Sequence, residues 1–215
     1  MKILYITGSH SNGKSVLQKS LKGCCNSILF PRQRRKGLFS EAEYELFSKN
    51  KQNEVAVFKN LSDRLDISVH ETKQQMALSK KFPNNFIIAD HFLLDCMAYI
   101  LTCFELDWLT KEEFTLLKKN FEKEFNNYVM FDCYGFFLKP SIEKVVMNFS
   151  IKNVGSSRFW EKKTKFLFVS CTSFNQVYLE YTKKTKDRWQ ILEGENIEDQ
   201  RKIILNTIQR YEKLF

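Results

Sequence analysis

The sequence predicts an α/β fold in which a parallel sheet is entered through a phosphate-binding turn. Three observations carry this prediction. Gly8-Ser9-His10-Ser11-Asn12-Gly13-Lys14-Ser15 satisfies G-x-x-x-x-G-K-[ST] in full. The β-branched and aromatic run Lys2-Ile3-Leu4-Tyr5-Ile6-Thr7 precedes it, and Val16 to Lys22 follows with Leu17 and Leu21 on one helical face. Further apolar runs around Ile87 and Phe136 alternate with helical patterns, and no repeat, linker or low-complexity tract divides the 215 residues, so one domain is expected.

The residue types of the turn follow from its chemistry. Glycines at both ends let successive backbone N–H groups point at one phosphate, aided by the positive end of the helix that starts there. Lys14 is expected to reach the β- and γ-phosphates of ATP, and the Ser15 hydroxyl to ligate Mg²⁺. The amides of Ser9, His10, Ser11, Asn12 and Gly13 complete the cradle begun at Gly8, with the His10 side chain a solvent-facing spacer.

Past this helix Gly23 reads as a C-cap and Asn26 to Phe30 as a short second strand. It runs into Pro31-Arg32-Gln33-Arg34-Arg35-Lys36-Gly37, the densest basic cluster of the chain. A segment leaving a parallel strand's carboxyl end lies on the ligand side of the sheet, which puts this cluster near the phosphate turn; a solvated surface loop is the alternative. Ser40 to about Lys81 is helical, with Leu46, Phe47, Val57, Leu61 and Leu65 as apolar positions, then a break before Met76 and Leu78. His70 reads as a surface residue.

Asn85 to His91 is an apolar run ending in an acid, followed by the helical Phe92 to Leu101. A carboxylate at the carboxyl end of a buried strand is where phosphoryl transfer needs one, so Asp90 can hold Mg²⁺ through water or take the acceptor hydroxyl's proton. It can also cap the helix. Asp95, five residues on, is expected to point elsewhere. Thr110 to Glu113 resembles a capping box opening a helix to about Asn126, and Tyr128 to Leu138 is another buried strand, within which Asp132 ranks second to Asp90. Pro140 to Met147 reads as a short helix. Residues 151–160, with Gly155, Ser156 and Ser157 beside Arg158, form either a hinged segment whose Arg158 closes on the transferring phosphoryl group or a plain connecting loop. A long helix from about Lys162 to Lys184 carries Phe166, Val169, Phe174, Val177 and Tyr181 as its apolar stripe. Arg188 to Leu192 is a strand, Glu193 to Asn196 a turn, and the last helix bears Ile203, Ile204, Ile208 and Leu214.

A hydrophobic content of 43% with 20 Phe excludes global disorder, and no apolar run approaches about 18 residues, so neither a membrane span nor a secretory signal is expected. The six cysteines (24, 25, 96, 103, 133 and 171) lack C-x-x-C or zinc spacing, which points to buried thiols in a cytoplasmic protein. The net charge of +9 indicates anionic partners: a nucleotide would use a few of these charges, a polynucleotide a whole face. Abundant Lys, Asn and Phe with few Gly and Pro also suit an AT-rich coding bias, which weakens any argument from lysine count.

With these pieces in order, the sequence resembles the P-loop nucleoside and nucleotide kinases, in particular the thymidylate-kinase-like and nicotinamide-riboside-kinase-like branches. The resemblance rests on Gly8 to Ser15, on Ile87-Ile88-Ala89-Asp90 with Leu94-Asp95 and Ala98-Tyr99 of the next helix, and on Ile191 to Arg201. It implies a three-layer sandwich around a five-stranded parallel sheet of order 2-3-1-4-5, with a lid at about residues 150–162. It also implies phosphate binding by Lys14 and the loop amides, Mg²⁺ held by Ser15 and Asp90, a lid arginine in Arg158, and a turn from Gly194 to Asn196 beside the adenine. One departure stands out: the family often has Arg after the strand-end Asp, and this chain has His91. Arg32, Arg34 or Arg35 could replace it on the acceptor side beside Asp90, or the acceptor differs in kind.

Three functions fit these readings. The first is an ATP- and Mg²⁺-dependent kinase phosphorylating a nucleoside or nucleotide hydroxyl, as a monomer or homodimer. In the second the hydroxyl belongs to DNA or RNA, with Arg32 to Lys36 on the backbone and Phe159 and Trp160 stacking on bases. The third is a module that hydrolyses ATP slowly to switch conformation.

Overall fold

A computed structural model describes residues 2–8, 13–22, 26–30, 39–49, 51, 55–90, 92–129, 133–139, 141–145, 147, 164–185, 188–193 and 196–212. The central strand β1 (Ile3–Gly8) is buried along its whole length, as expected of a continuous apolar run in a parallel sheet covered on both faces. Helix α1 (Lys14–Leu21) and strand β2 (Ser27–Leu29) follow, then α2 (Glu41–Ser48), α3 (Val57–Lys81) and β3 (Phe86–Ala89). Next come α4 (Leu93–Glu105), α5 (Lys111–Val129), β4 (Cys133–Lys139), α6 (Thr164–Thr182), β5 (Trp189–Glu193) and α7 (Ile197–Glu212). All pairings are parallel and the order is β2-β3-β1-β4-β5, as the family resemblance implied.

Alternation along β1 divides the core. Ile3 and Tyr5 face a large cluster with α3, α4, α5 and α6, whereas Leu4 and Ile6 face Leu17 and Leu21 of α1 and Ile204 and Ile208 of α7. The register sets Tyr5 between Ala89 of β3 and Gly135 of β4, and Gly135 beside Trp189 of β5. Gly135 is required there by space: a Cβ would lie 2.2 Å from the Trp189 ring. Gly135→Ala is therefore expected to cost about 3 kcal/mol and to lower the thermal midpoint by roughly 6–12 °C, measured by calorimetry; an unchanged midpoint would contradict the packing described.

Three elements depart from the sequence reading. Tyr128 and Val129, read as the start of a strand, are instead the last residues of α5, and β4 begins only at Cys133. The break expected between Leu65 and Met76 lies earlier, between α2 and α3, and α3 runs unbroken for 25 residues. Its buried face turns polar: after Val57, Leu61 and Leu65 come Ser68, Thr72, Gln75 and Ser79. These polar groups are matched, since the Tyr5 hydroxyl donates to Gln75 Oε1 (2.7 Å), the Lys2 amide donates to Ser79 Oγ (2.9 Å), and Ser68 Oγ meets Cys96 Sγ (2.9 Å). In α7, Ile203 is 44% exposed while Gln200, Ile204, Thr207 and Ile208 form the buried side; Leu214 lies outside the described residues. Helix α4 is buried at every position from Leu93 to Cys103. No helix among the described residues is long and apolar enough to cross a membrane, and Cys96, Cys103, Cys133 and Cys171 are buried thiols.

Helix α2 begins with a capping box. Glu43 N–H donates to Ser40 Oγ, and the Glu43 carboxylate accepts from the Ser40 amide and hydroxyl (2.7 Å each) and from Asn60 (2.9 Å). Partial burial pushes the Glu43 pKa up, but these donors outweigh it and hold it below the ordinary carboxylate range. A depressed folded pKa gives stability that is present above the unfolded value and lost as pH falls through the folded one. Acid should thus loosen α2, whose Phe47 stacks on Trp108 at 3.9 Å, and Glu43→Gln should flatten that part of the tryptophan fluorescence titration.

Candidate active site

The carboxyl end of β1 and the amino end of α1 hold the two ends of the motif, Gly8 and Gly13 to Ser15. Gly8 has φ 147° and Gly13 has φ 81°, conformations that residues with a Cβ rarely adopt. Gly13 is the N-cap of α1, and its carbonyl accepts from the amides of Val16 and Leu17 at 3.0 Å each. Among the described residues a Cβ at Gly13 would meet Ile197, at 3.7 Å, an ordinary contact, so its positive φ is what favours glycine there. Lys14 Nζ folds back onto the Gly8 carbonyl at 2.6 Å, bridging the end of β1 and the start of α1. Ser15 is exposed in the first turn of α1.

Three other strand ends surround this turn. Gly8 is paired with Leu138 of β4, and one rung further Lys139 Nζ meets Glu193 Oε1 of β5 at 2.6 Å. Beyond β5, Asn196 caps α7 by accepting from the Glu198 amide (2.9 Å), so the chain enters α7 with Ile197 against Gly13. On the other side, β3 adjoins β1 and ends at Ala89; Asp90 follows, half-buried with its Oδ1 shielded from solvent. Gly8, Gly13, Lys14, Ser15, Asp90 and Asn196 thus all belong to the edge of the sheet where the strands finish. His70 is exposed and pairs with Gln74 (2.9 Å), the surface role expected of it.

Asp95 stands apart from these residues. It is 2% exposed, points into the core, and accepts a hydrogen bond from the fully buried Tyr178 hydroxyl at 2.8 Å. Burial, reinforced by the Asp95 charge, pushes the Tyr178 pKa well above the usual phenol value, so the phenol remains protonated. The sequence reading had Asp95 pointing elsewhere on its helix, as it does, but carried no signal for Tyr178, Lys139 or Glu193. Ser9, His10, Ser11, Asn12, Arg32, Arg34, Arg35, His91, Asp132, Arg158 and Gly194 lie outside the described residues.

No protein-family model matches the chain, and no curated protein matches it. Solved structures do. A deoxyadenosine kinase from M. mycoides with bound dCTP aligns with a TM-score of 0.70 at 15% identity, covering 97% of this chain and 99% of that one. The structures of deoxyadenosine kinase from M. mycoides with products dCMP and a flexible dCDP, and with bound dATP, align at 0.69 and 0.68, each at 16% identity and 97% coverage of this chain; 99% and 100% of those chains are covered. The chain shares the fold of these deoxyadenosine kinases.

In that fold the edge described above has a definite chemical capacity. The N-terminus of α1 and the Lys14 ammonium stand together at the end of β1, and a helix N-terminus with a nearby cation favours an anion. A hydroxyl at Ser15 and a carboxylate at Asp90 are the hard oxygen donors that Mg²⁺ prefers. Among the described residues no three His, Cys, Asp or Glu side chains gather as a metal cage.

Proposed function

We propose that this protein is a kinase that transfers the γ-phosphate of ATP to a hydroxyl of a nucleoside or deoxynucleoside. One observation carries the proposal: the positive-φ glycines Gly8 and Gly13 stand at the end of the central strand and the start of α1, with Lys14 Nζ bonded to the Gly8 carbonyl between them. The fold shared with deoxyadenosine kinases over 97% of the chain supports the reading, and so do the mononucleotides named with those structures. The role of each group follows from charge. Loop amides and Lys14 neutralise the triphosphate, Ser15 and Asp90 hold Mg²⁺, which when bound offsets charge on the phosphates, and Asp90 orients the acceptor hydroxyl and accepts its proton.

A nucleoside acceptor is favoured over a nucleotide because His91 replaces the arginine that the resembled kinases often carry after the strand-end acid, which removes one fixed cation from the acceptor side. In this reading the turn at Gly194 to Asn196 lies beside the adenine, Arg158 closes on the phosphoryl group, and Arg32, Arg34 and Arg35 stand near the acceptor. The test is ADP release with each of the common ribo- and deoxynucleosides and their monophosphates. Acceleration by nucleosides, with the product gaining one phosphoryl group, is expected; release indifferent to every small acceptor would overturn the proposal.

A further inference from the structure

Three chain segments that the proposed reaction must coordinate meet at one buried hydrogen bond. Tyr178 lies on α6, the helix that follows the expected lid in the chain. Asp95 lies in the first turn of α4, five residues past Asp90, and its amide donates to the Phe92 carbonyl (3.0 Å), fixing the start of that helix. Thr7 immediately precedes Gly8 at the entrance to the phosphate turn. The Tyr178 ring stacks on Phe137 (centroids 4.1 Å, 6° between planes), and Phe137 is the strand partner of Thr7. Thr7, Asp95 and Tyr178 are 0%, 2% and 0% exposed, so none of them is placed to touch a substrate. The buried Thr7 hydroxyl lies beside the same phenol.

We propose that Tyr178 and Asp95 are positioning residues: their hydrogen bond fastens α6 to the Asp90-bearing turn over the last rungs of β1, so that nucleotide binding at Gly8 to Ser15 also orders Asp90. This rests on the kinase reading. The pair needs burial to serve this purpose, because a phenol–carboxylate bond screened from water holds one geometry, whereas an exposed one exchanges with solvent. An error of about 1 Å in placing a reacting group costs on the order of 100-fold in rate, which sets the size of effect a fastening of this kind can have.

The experiment uses the whole chain, with the best acceptor from the nucleoside panel, and reads kcat, ATP affinity, thermal midpoint and amide hydrogen exchange. Tyr178→Phe and Asp95→Ala are each expected to lower kcat about 10- to 100-fold with ATP affinity within about threefold. Asp95→Asn, which keeps an oxygen to accept from the phenol, should stay within about threefold of the parent, and the Tyr178→Phe/Asp95→Ala double variant should be no slower than Asp95→Ala alone. In the parent, ATP should slow exchange across residues 90–97; in Tyr178→Phe it should still bind but no longer do so. The proposal is overturned if Tyr178→Phe keeps kcat within twofold, if kcat falls only in step with the thermal midpoint across the set, or if ATP protects residues 90–97 equally in both proteins. A parent chain that binds ATP but phosphorylates no acceptor sinks the kinase reading alone, because the exchange comparison still decides the pair. A parent that binds no ATP sinks both.

Discussion

Lys14→Ala is expected to lower ATP-dependent turnover by at least about 1000-fold, a loss of roughly 4 kcal/mol of transition-state stabilisation. The reason lies in what Lys14 does in the structure. Its ammonium bridges to the Gly8 carbonyl at 2.6 Å, which holds the side chain at the junction of β1 and α1 where the proposed phosphate site lies. Arrival of a triphosphate exchanges that carbonyl for phosphate oxygens of full charge, and the interaction strengthens as charge shifts during transfer. Alanine leaves the glycine geometry and the helix N-terminus in place, so the variant should fold with a thermal midpoint close to the parent's. Calorimetric titration with ATP and Mg²⁺ should record weakened binding alongside the lost rate. A variant that retained a tenth of the parent's turnover would show that the lysine is not the phosphate-neutralising group.

Asp90→Asn is the second large effect, with kcat expected to fall about 100- to 10 000-fold while ATP affinity changes no more than about threefold. The substitution keeps shape and removes charge and basicity, which separates proton acceptance from packing. Asp90 suits the role by position: it leaves β3 one residue past the rung that pairs Ala89 with Tyr5, beside the strand that feeds the phosphate turn. If the Asn variant kept full turnover, the base would have to be sought elsewhere. Asp95 is a poor substitute, since it is 2% exposed and already accepts from Tyr178, so Asp132 would be examined next.

The strand-end and glycine geometry behind these expectations was legible in the sequence, because its signal is local. Gly8, Gly13, Lys14 and Ser15 lie within one turn, and the β-type run before them and helical pattern after them are short-range signals. Asp90 was legible for the same reason, as an acid ending an apolar run. Strand order was not readable from periodicity and came only through family resemblance, since it depends on pairings such as Tyr5 with Gly135 that are remote in the chain. What escaped reading altogether were contacts in which polarity is reversed. The lower half of α3 buries Ser68, Thr72, Gln75 and Ser79, so apolar periodicity lapses while the helix continues. In α7 packing against α1 buries Gln200 and Thr207 and leaves Ile203 in water. The Tyr178–Asp95 bond joins residues 83 positions apart, and nothing local marks either as a partner.

The central claim is that the β1–α1 turn grips ATP and that the phosphoryl group leaves it for a nucleoside hydroxyl. Mass analysis of the nucleoside after incubation with ATP, Mg²⁺ and either the parent chain or Lys14→Ala tests this most directly. The account predicts a monophosphate formed by the parent and not by the variant. Equal product from both proteins, or none from the parent with any nucleoside, would contradict it.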